Sequence, residues 1–172
     1  MATKIKNDLK EEYQGIKYIL TSTMRTKLLL SIYNGSKNLD DLRIELEKPS
    51  ATILHGLKEL ENLNFVKKVQ KYYQLTSNGY LLTTNMIKLI DNWYATNKNE
   101  DFWNSHDLTA IPQENLKNIY LLKNAECISS TTSNLSKAYN SYTKLIENVE
   151  ELKITLPIFS ENHLRQIVQL IQ

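Results

Sequence analysis

The chain has 172 residues, 41% hydrophobic and 23% charged, with a formal net charge of +2, a composition that can bury a core and is unlike that of disordered chains. No apolar run approaches the ~20 residues of a membrane span, and the opening MATKIKNDLKEEY is too polar for a signal peptide. Four glycines and three prolines leave little material for phosphate-cradling loops or a turn-rich all-β fold, and the lone Cys127 fits a reducing compartment, the cytoplasm.

In chain order, Leu9, Tyr13, Ile16 and Leu20 form one apolar stripe and predict a helix over 7–20. Thr21-Ser22-Thr23 stops it and caps a second helix over about 23–34, with Leu28, Leu29, Ile32 and Tyr33 inward and Asn34-Gly35 as its end. Leu39, Leu42 and Leu46 mark a short third helix beginning at Asn38 or Leu39, which Lys48-Pro49 breaks. Ser50 is the expected N-cap of a fourth helix that buries Ile53, Leu57, Leu60 and Leu63 and ends at Asn64-Phe65. The period then changes to two. Val66–Val69 and Tyr72–Leu75 read as strands about a turn at Gln70-Lys71. Thr76-Ser77-Asn78-Gly79 caps a long helix to about Asn97, with Leu82, Met86, Leu89, Ile90 and Trp93 on one side.

A boundary or hinge is expected at 97–101, dividing the chain into residues 1–97 and 98–172. Beyond it, 113–122 reads as a helix, 125–130 as a strand, 134–152 as a long helix, 154–159 as a second strand and 164–171 as a last helix. A strand, a crossover helix and a second strand imply parallel neighbours in a small α/β unit. The expected fold class is therefore mainly α (α+β), a winged helix-turn-helix followed by a small α/β unit.

Several runs carry a family likeness: Met24-Arg25, Ser50-Ala51-Thr52-Ile53, Leu57-Lys58-Glu59-Leu60-Glu61, Phe65-Val66 and Tyr73-Gln74-Leu75-Thr76-Ser77-Asn78-Gly79. Over about 16–80 the chain resembles the archaeal and bacterial arsenic-repressor-like winged-helix regulators. Phe102-Trp103, His106-Asp107-Leu108 and Ile111-Pro112, with the strand and helix after them, resemble the second domain of methanogen regulators over roughly 100–160. That domain was first named for controlling methanogenesis and filament formation. The chain stops earlier than that pattern, so a partial second domain is expected. The resemblance implies an archaeal-type, DNA-binding transcriptional regulator.

The chemistry of single residues points the same way. His55, His106 and His163 are isolated, with no Cys or carboxylate at metal-ligand spacing, and no nucleophile elbow, GxGxxG or Walker sequence occurs. No enzyme, cofactor or metal is expected. With Ile53, Leu57 and Leu60 inward, helix periodicity turns Ala51, His55 and Lys58 outward, flanked by Ser50, Thr52 and Leu54. Such a face suits the major groove, with Thr and His on base edges and Ser50 and the helix amides on a phosphate. The alternative is a capped surface helix. Lys67, Lys68 and Lys71 with Tyr72 on the hairpin, and Arg25 and Lys27 opening the second helix, are the expected phosphate contacts; edge protection explains the hairpin lysines equally. Residues 1–95 carry 14 Lys/Arg against 10 Asp/Glu, whereas 96–172 carry 7 against 9, which puts the polyanion-binding character in the front half.

An effector site is expected at Thr131, Thr132, Ser133 and Asn134 beside Tyr139 and Tyr142, where a strand end would meet a helix N-terminus. Plain helix capping explains the same four polar residues. The sequence thus reads as a homodimeric regulator of double-stranded DNA answering a small effector, away from any membrane. The alternative is a winged-helix protein-interaction module without sequence-specific DNA binding.

Overall fold

The computed structural model describes residues 13–146 and, beyond them, 151, 161, 164, 165, 167 and 168, apart from the side chains of Tyr139 and Thr143. The described residues fall into two compact units. One comprises 13–98 with Thr109–Lys123, the other Asn99–Leu108 with residues from Asn124 onward. The fold is mainly α, with one two-stranded antiparallel sheet.

In the first unit, α1 is helical over 13–20 and α2 spans Thr23–Tyr33, with the Ser22 hydroxyl accepting from the Arg25 amide. α3 (Leu39–Leu46) opens on a reciprocal capping box between Asn38 and Asp41 and closes at Glu47 in the left-handed region. α4 (Ser50–Asn62) starts one residue earlier than expected: Pro49 is the N-cap, and Ser50 is already helical. The Pro49 carbonyl accepts from the Thr52 and Ile53 amides, and proline's fixed φ sets the turn without any side-chain cap.

β1 (Val66–Val69) and β2 (Tyr72–Leu75) pair with Val66 opposite Leu75 and Val69 opposite Tyr72. The outer edge of β2 is met by Lys37, whose amide and carbonyl exchange hydrogen bonds of 3.1 and 2.8 Å with Tyr73. α5 (Ser77–Lys98) follows, opened by the Thr76 hydroxyl on the Gly79 amide at 3.1 Å. The core gathers Ile19, Leu28, Leu29, Ile32, Leu42, Ile53, Leu57, Leu60, Val66, Tyr73 and Met86. Gly56 lets α4 approach α2, since a Cβ there would lie 2.8 Å from Leu28 Cδ1.

Three expectations about the core change. Ile19 is the buried residue of α1, while Tyr13, Ile16 and Leu20 are exposed. Leu63 is exposed because the chain leaves the helix there, with Asn64 at φ 57°. Of the α5 stripe only Met86 is buried and Leu82 packs on the core, whereas Leu89, Ile90 and Trp93 stay exposed. These lie in the helix's second half, where the buried residue is Ala95.

The segment expected as one helix over 113–122 is split into α7 (Gln113–Leu116) and a 3-10 turn at Ile119–Leu122. Asn118 makes the break, its side-chain amide donating back to the Glu114 carbonyl at 2.9 Å. This segment belongs to the first unit and packs on α5, with Lys123 2.9 Å from Asp91 and the Lys88 ammonium 5.3 Å from the Tyr120 ring centre.

In the second unit, α6 (Glu100–Ser105) stacks Phe102 edge-on against Trp103 and tilted against His106. Residues 125–130 form no strand. Cys127 and Ile128 are exposed, and no described segment pairs with this run. The strand expected at 154–159 lies outside the described residues, as do 1–12 and 147–150. α8 is Lys137–Ile146, starting three residues later than expected. Residues 161, 164, 165, 167 and 168 are helical, the last four within the run expected as the last helix.

Candidate nucleic-acid interface

α4, the β1–β2 hairpin and the start of α2 carry the surfaces expected to meet DNA. On α4, Ile53, Gly56, Leu57 and Leu60 are buried, and this inward set turns Ala51, Thr52, His55 and Lys58 to solvent on the opposite side. The four lie at helical spacing and form one continuous face. Leu54 sits beside them, also exposed. Ser50, at the first helical position, is half-buried.

The hairpin does not present its lysines together. Alternation along β1 puts Lys68 on the same side as buried Val66, opposite Tyr73, and turns Lys67 to the outer side. The Lys68 ammonium lies 5.4 Å from the Tyr73 ring centre, a cation held over an aromatic face with its charge still in water. At the tip, Gln70 has φ 55°, a left-handed position that suits glycine better. Lys71 and Tyr72 are exposed beside it.

Arg25 is engaged inside the fold. Its guanidinium donates to Glu59 Oε2 at 2.8 Å and to the Tyr18 carbonyl at 3.0 Å through Nε, and its Cζ lies 3.7 Å above the Tyr18 ring centre. Only 12% of its side chain is exposed. A phosphate would have to compete with these partners. Lys27 is exposed on α2.

The sequence reading passed over Glu59 and Tyr18 as functional positions. The Tyr18 hydroxyl donates to Glu59 Oε1 at 2.6 Å, so one carboxylate joins α1, α2 and α4. The Tyr18 and Arg25 hydrogen bonds hold the Glu59 carboxyl below the usual carboxylate range. On its remaining side, His55 Nε2 lies 3.7 Å from Glu59 Oε1. The detectable signal was an acidic residue four positions after an exposed histidine, at the edge of the buried face.

Acidic charge gathers next to α4. Asp40, Asp41, Glu45 and Glu47 are exposed on or just after α3, with only Lys37 on Glu45 (2.5 Å) and Arg43 on Asp40 (3.2 Å) as ion pairs among them. An open cleft lined by Asp40, Arg43, Ile44, Glu47, Lys48, Pro49 and Ser50 separates this face from the start of α4.

The expected effector residues are differently arranged. Thr131 and Asn134 exchange backbone hydrogen bonds of 3.1 and 3.0 Å, and the Thr131 hydroxyl lies 3.1 Å from that of Ser133 and 3.2 Å from the Asn134 amide. The four residues make a closed turn ahead of α8 instead of its N-terminus. Ser130, unremarked in the sequence, accepts from the Ala138 amide at 3.3 Å. Thr132 is exposed and Tyr142 half-buried; Tyr139 lies on α8, its side chain outside the described set. Among the described residues no group of three His, Cys, Asp or Glu could hold a metal ion, and no helix is long and apolar enough to cross a membrane.

Comparison with known proteins finds a family model over part of the chain and a curated relative over most of it. The family model described as methanogenesis regulatory protein FilR1, N-terminal domain, matches residues 13–93. The methanogenesis regulatory protein FilR1 of Methanothrix harundinacea (strain 6Ac) is 21% identical over 154 residues, 88% of this chain and 34% of that protein. The chain thus spans about a third of that relative's length. The crystal structure of T. acidophilum IdeR aligns at a TM-score of 0.34 and 14% identity, over 69% of this chain and 52% of that one. Residues 13–93 therefore carry the sequence pattern of a FilR1 N-terminal domain.

Proposed function

We propose that the chain is a transcriptional regulator that binds specific double-stranded DNA as a homodimer in the cytoplasm. Residues 1–97 are the DNA-binding part and 98–172 a sensing or dimerising part. One observation carries this reading. The exposed face of α4, Ala51, Thr52, His55 and Lys58, stands beside a hairpin bearing Lys67, Lys68 and Lys71. Small and polar side chains on a helix suit base edges, and hairpin ammonium groups suit phosphates. The match of 13–93 to a regulator's N-terminal domain supports it. The test is selection of bound genomic DNA fragments at near-physiological salt. Enrichment of one motif supports the reading, and capture without a motif overturns it.

A second reading is favoured by a separate observation. Asp40, Asp41 and Glu47 beside α4 repel phosphate, and Ile44 among them is 80% exposed. On that reading the winged helix docks a protein through α3 and reads no sequence. The same selection separates the two.

The effector part of the reading assigns a small ligand to Thr131, Thr132, Ser133 and Asn134 with Tyr139 and Tyr142. Because the Thr131 hydroxyl bonds to Ser133 and to the Asn134 amide within the turn, a ligand there would have to replace those bonds. A thermal-shift screen of cellular metabolites tests this, and the absence of any stabilising compound leaves the turn as a plain structural element.

A further inference from the structure

We propose that residues 109–123 are an assembly strap: Tyr120 and Lys123 are positioning residues that keep the second half of α5 ordered, so that its exposed apolar stripe is ready to meet a second copy of the chain. The inference rests on the homodimer reading, with Leu89, Ile90 and Trp93 as part of the contact. After Met86 no residue of α5 belongs to the core of the first unit, and Leu89, Ile90 and Trp93 are exposed. A helical end that buries so little is marginal in water. Its support lies on the other side. Lys123 Nζ stands 2.9 Å from Asp91 Oδ2, and only 20% of the Asp91 side chain is exposed. The Lys88 ammonium lies 5.3 Å from the Tyr120 ring centre, and Ala95 is fully buried. Lys88, Asp91 and Ala95 are spaced three and four residues apart and share one face of the helix, while Leu89 and Trp93 fall on the opposite face. The strap thus backs α5 and leaves the stripe free. That stripe continues the groove which Ile16 and Leu20 of α1 form with Leu82 and Leu89, and a two-fold copy offers the same surface in return.

Association includes the free energy of ordering whatever is disordered in the free chain, so a preformed face binds more tightly than one that frays. In a homodimer both copies carry that cost. An end that is ordered only part of the time weakens the dimer by the square of that fraction. The strap has a further consequence through its place in the chain. It follows Asn99–Leu108 and precedes the residues from Asn124 onward, both of which belong to the second unit. Second-unit residues therefore adjoin both ends of the segment that orders α5. The rear of the chain gains a hold on assembly of the front, and through assembly on the pairing of two α4 helices. Tyr120 and Lys123 touch no second copy in this scheme; they act through α5.

The experiment compares the full wild-type chain with the double variant Tyr120→Ala/Lys123→Ala, which releases the strap, and with Lys123→Arg, which keeps the ion pair. Sedimentation gives the dimer dissociation constant, and amide hydrogen exchange of the dilute, monomeric chain gives the order of α5. The released variant is expected to dimerise about tenfold more weakly, which corresponds to an α5 end ordered about a third of the time in each copy. Its amides at 91–98 are expected to exchange faster and those at 79–86 at the wild-type rate. Lys123→Arg is expected to dimerise like wild type. Faster exchange with unchanged dimerisation makes the strap a purely structural element and overturns the proposal. Unchanged exchange at 91–98, or a loss of protection that spreads to 79–86, overturns it too. The wild-type chain supplies a readout that needs no variant: protection at 91–98 in the monomer is expected, and its absence overturns the proposal. A wild type that stays monomeric at micromolar concentration overturns the homodimer reading itself, and a dimer that Trp93→Glu leaves intact removes α5 from the contact. In both cases this proposal falls with the reading it rests on, whereas the other outcomes strike it alone.

Discussion

Gly79 in α5 lies so close to Phe65 that a Cβ on it would stand 2.0 Å from the Phe65 carbonyl oxygen. That carbonyl also accepts from the Thr76 amide at 3.0 Å, and the Thr76 hydroxyl bridges to the Asn64 carbonyl at 2.6 Å. The end of α4, the base of the hairpin and the start of α5 are thereby tied at one point. Backbone cannot yield as a flexible side chain does, so Gly79→Ala is expected to cost about 2–4 kcal/mol by overpacking. Urea unfolding of the full chain measures it. A loss below about 0.5 kcal/mol, the range of an ordinary surface change, would contradict the close approach.

Arg25 and Glu59 give a prediction that separates a structural arginine from a phosphate contact. Arg25→Ala is expected to destabilise the chain by roughly 2 kcal/mol, because it leaves a largely enclosed carboxylate with one partner fewer. Arg25→Lys rescues little of this, since an ammonium cannot reproduce the forked contact to Glu59 and the Tyr18 carbonyl. The pH dependence follows from the lowered Glu59 carboxyl, whose main causes are the Tyr18 and Arg25 hydrogen bonds. A depressed folded value means the contribution is whole above the unfolded value of about 4.3 and lost as pH falls through the folded one. Melting temperature against pH is therefore expected to fall more steeply in acid for wild type than for Glu59→Gln. Parallel curves would remove Glu59 from the stability of the fold.

What was legible in the sequence was local. Both strands were read at their observed bounds, because a period of two ends sharply at Gln70-Lys71 and at Thr76. The caps at Ser22 and Thr76 were readable because a hydroxyl directly ahead of a helix accepts from the amide three residues on. The Tyr18–Arg25–Glu59 cluster was not, since its members are 34 to 41 residues apart along the chain for the two contacts to Glu59. Arg25 therefore read as a free cation. Ile19 was missed for a related reason: Tyr13, Ile16 and Leu20 define a face of α1, and only packing decides which edge of it faces inward. The 125–130 run failed because strand character belongs to a pair of segments, and no described segment pairs with it.

The hairpin lysines are expected to behave unequally. Lys67 stands on the outer side of the hairpin, so Lys67→Ala should weaken every DNA sequence alike and reduce the salt slope of binding by about one. Lys68 also covers Tyr73, so Lys68→Ala should add a loss of stability of about 0.5–1 kcal/mol to the same change in slope. Thr52→Ala, by contrast, should alter base preference by roughly 1–3 kcal/mol at one position and leave the slope unchanged. Fluorescence anisotropy over a salt series, on a selected site and on unrelated DNA, measures all three. Equal slopes for wild type and Lys67→Ala would take the hairpin out of the interface.

Assembly turns on the uncovered apolar surface of α1 and α5. Ile16, Leu20, Leu82 and Leu89 line one groove with Ile19, Asn85 and Met86, and farther along α5 Trp93 is 70% exposed. A second copy related by a two-fold axis would cover these side chains with their own counterparts, because the contact surface of such a dimer is the same on both chains. The two α4 helices would then lie about 34 Å apart, or a multiple of it, and bind a near-palindrome. Burying an exposed Trp, Leu and Ile from each chain stabilises association by about 1.5–3 kcal/mol per side chain, so one charge placed among them should be decisive. Leu89→Glu is expected to convert a dimer into a monomer in sedimentation at micromolar concentration. Because Leu89 is exposed within the single chain, its substitution should leave the thermal unfolding of that monomer nearly unchanged. DNA affinity should then fall toward that of one half-site. A wild-type chain that sediments as a monomer with and without its selected DNA would end the dimer reading, and an asymmetric selected motif would do so independently.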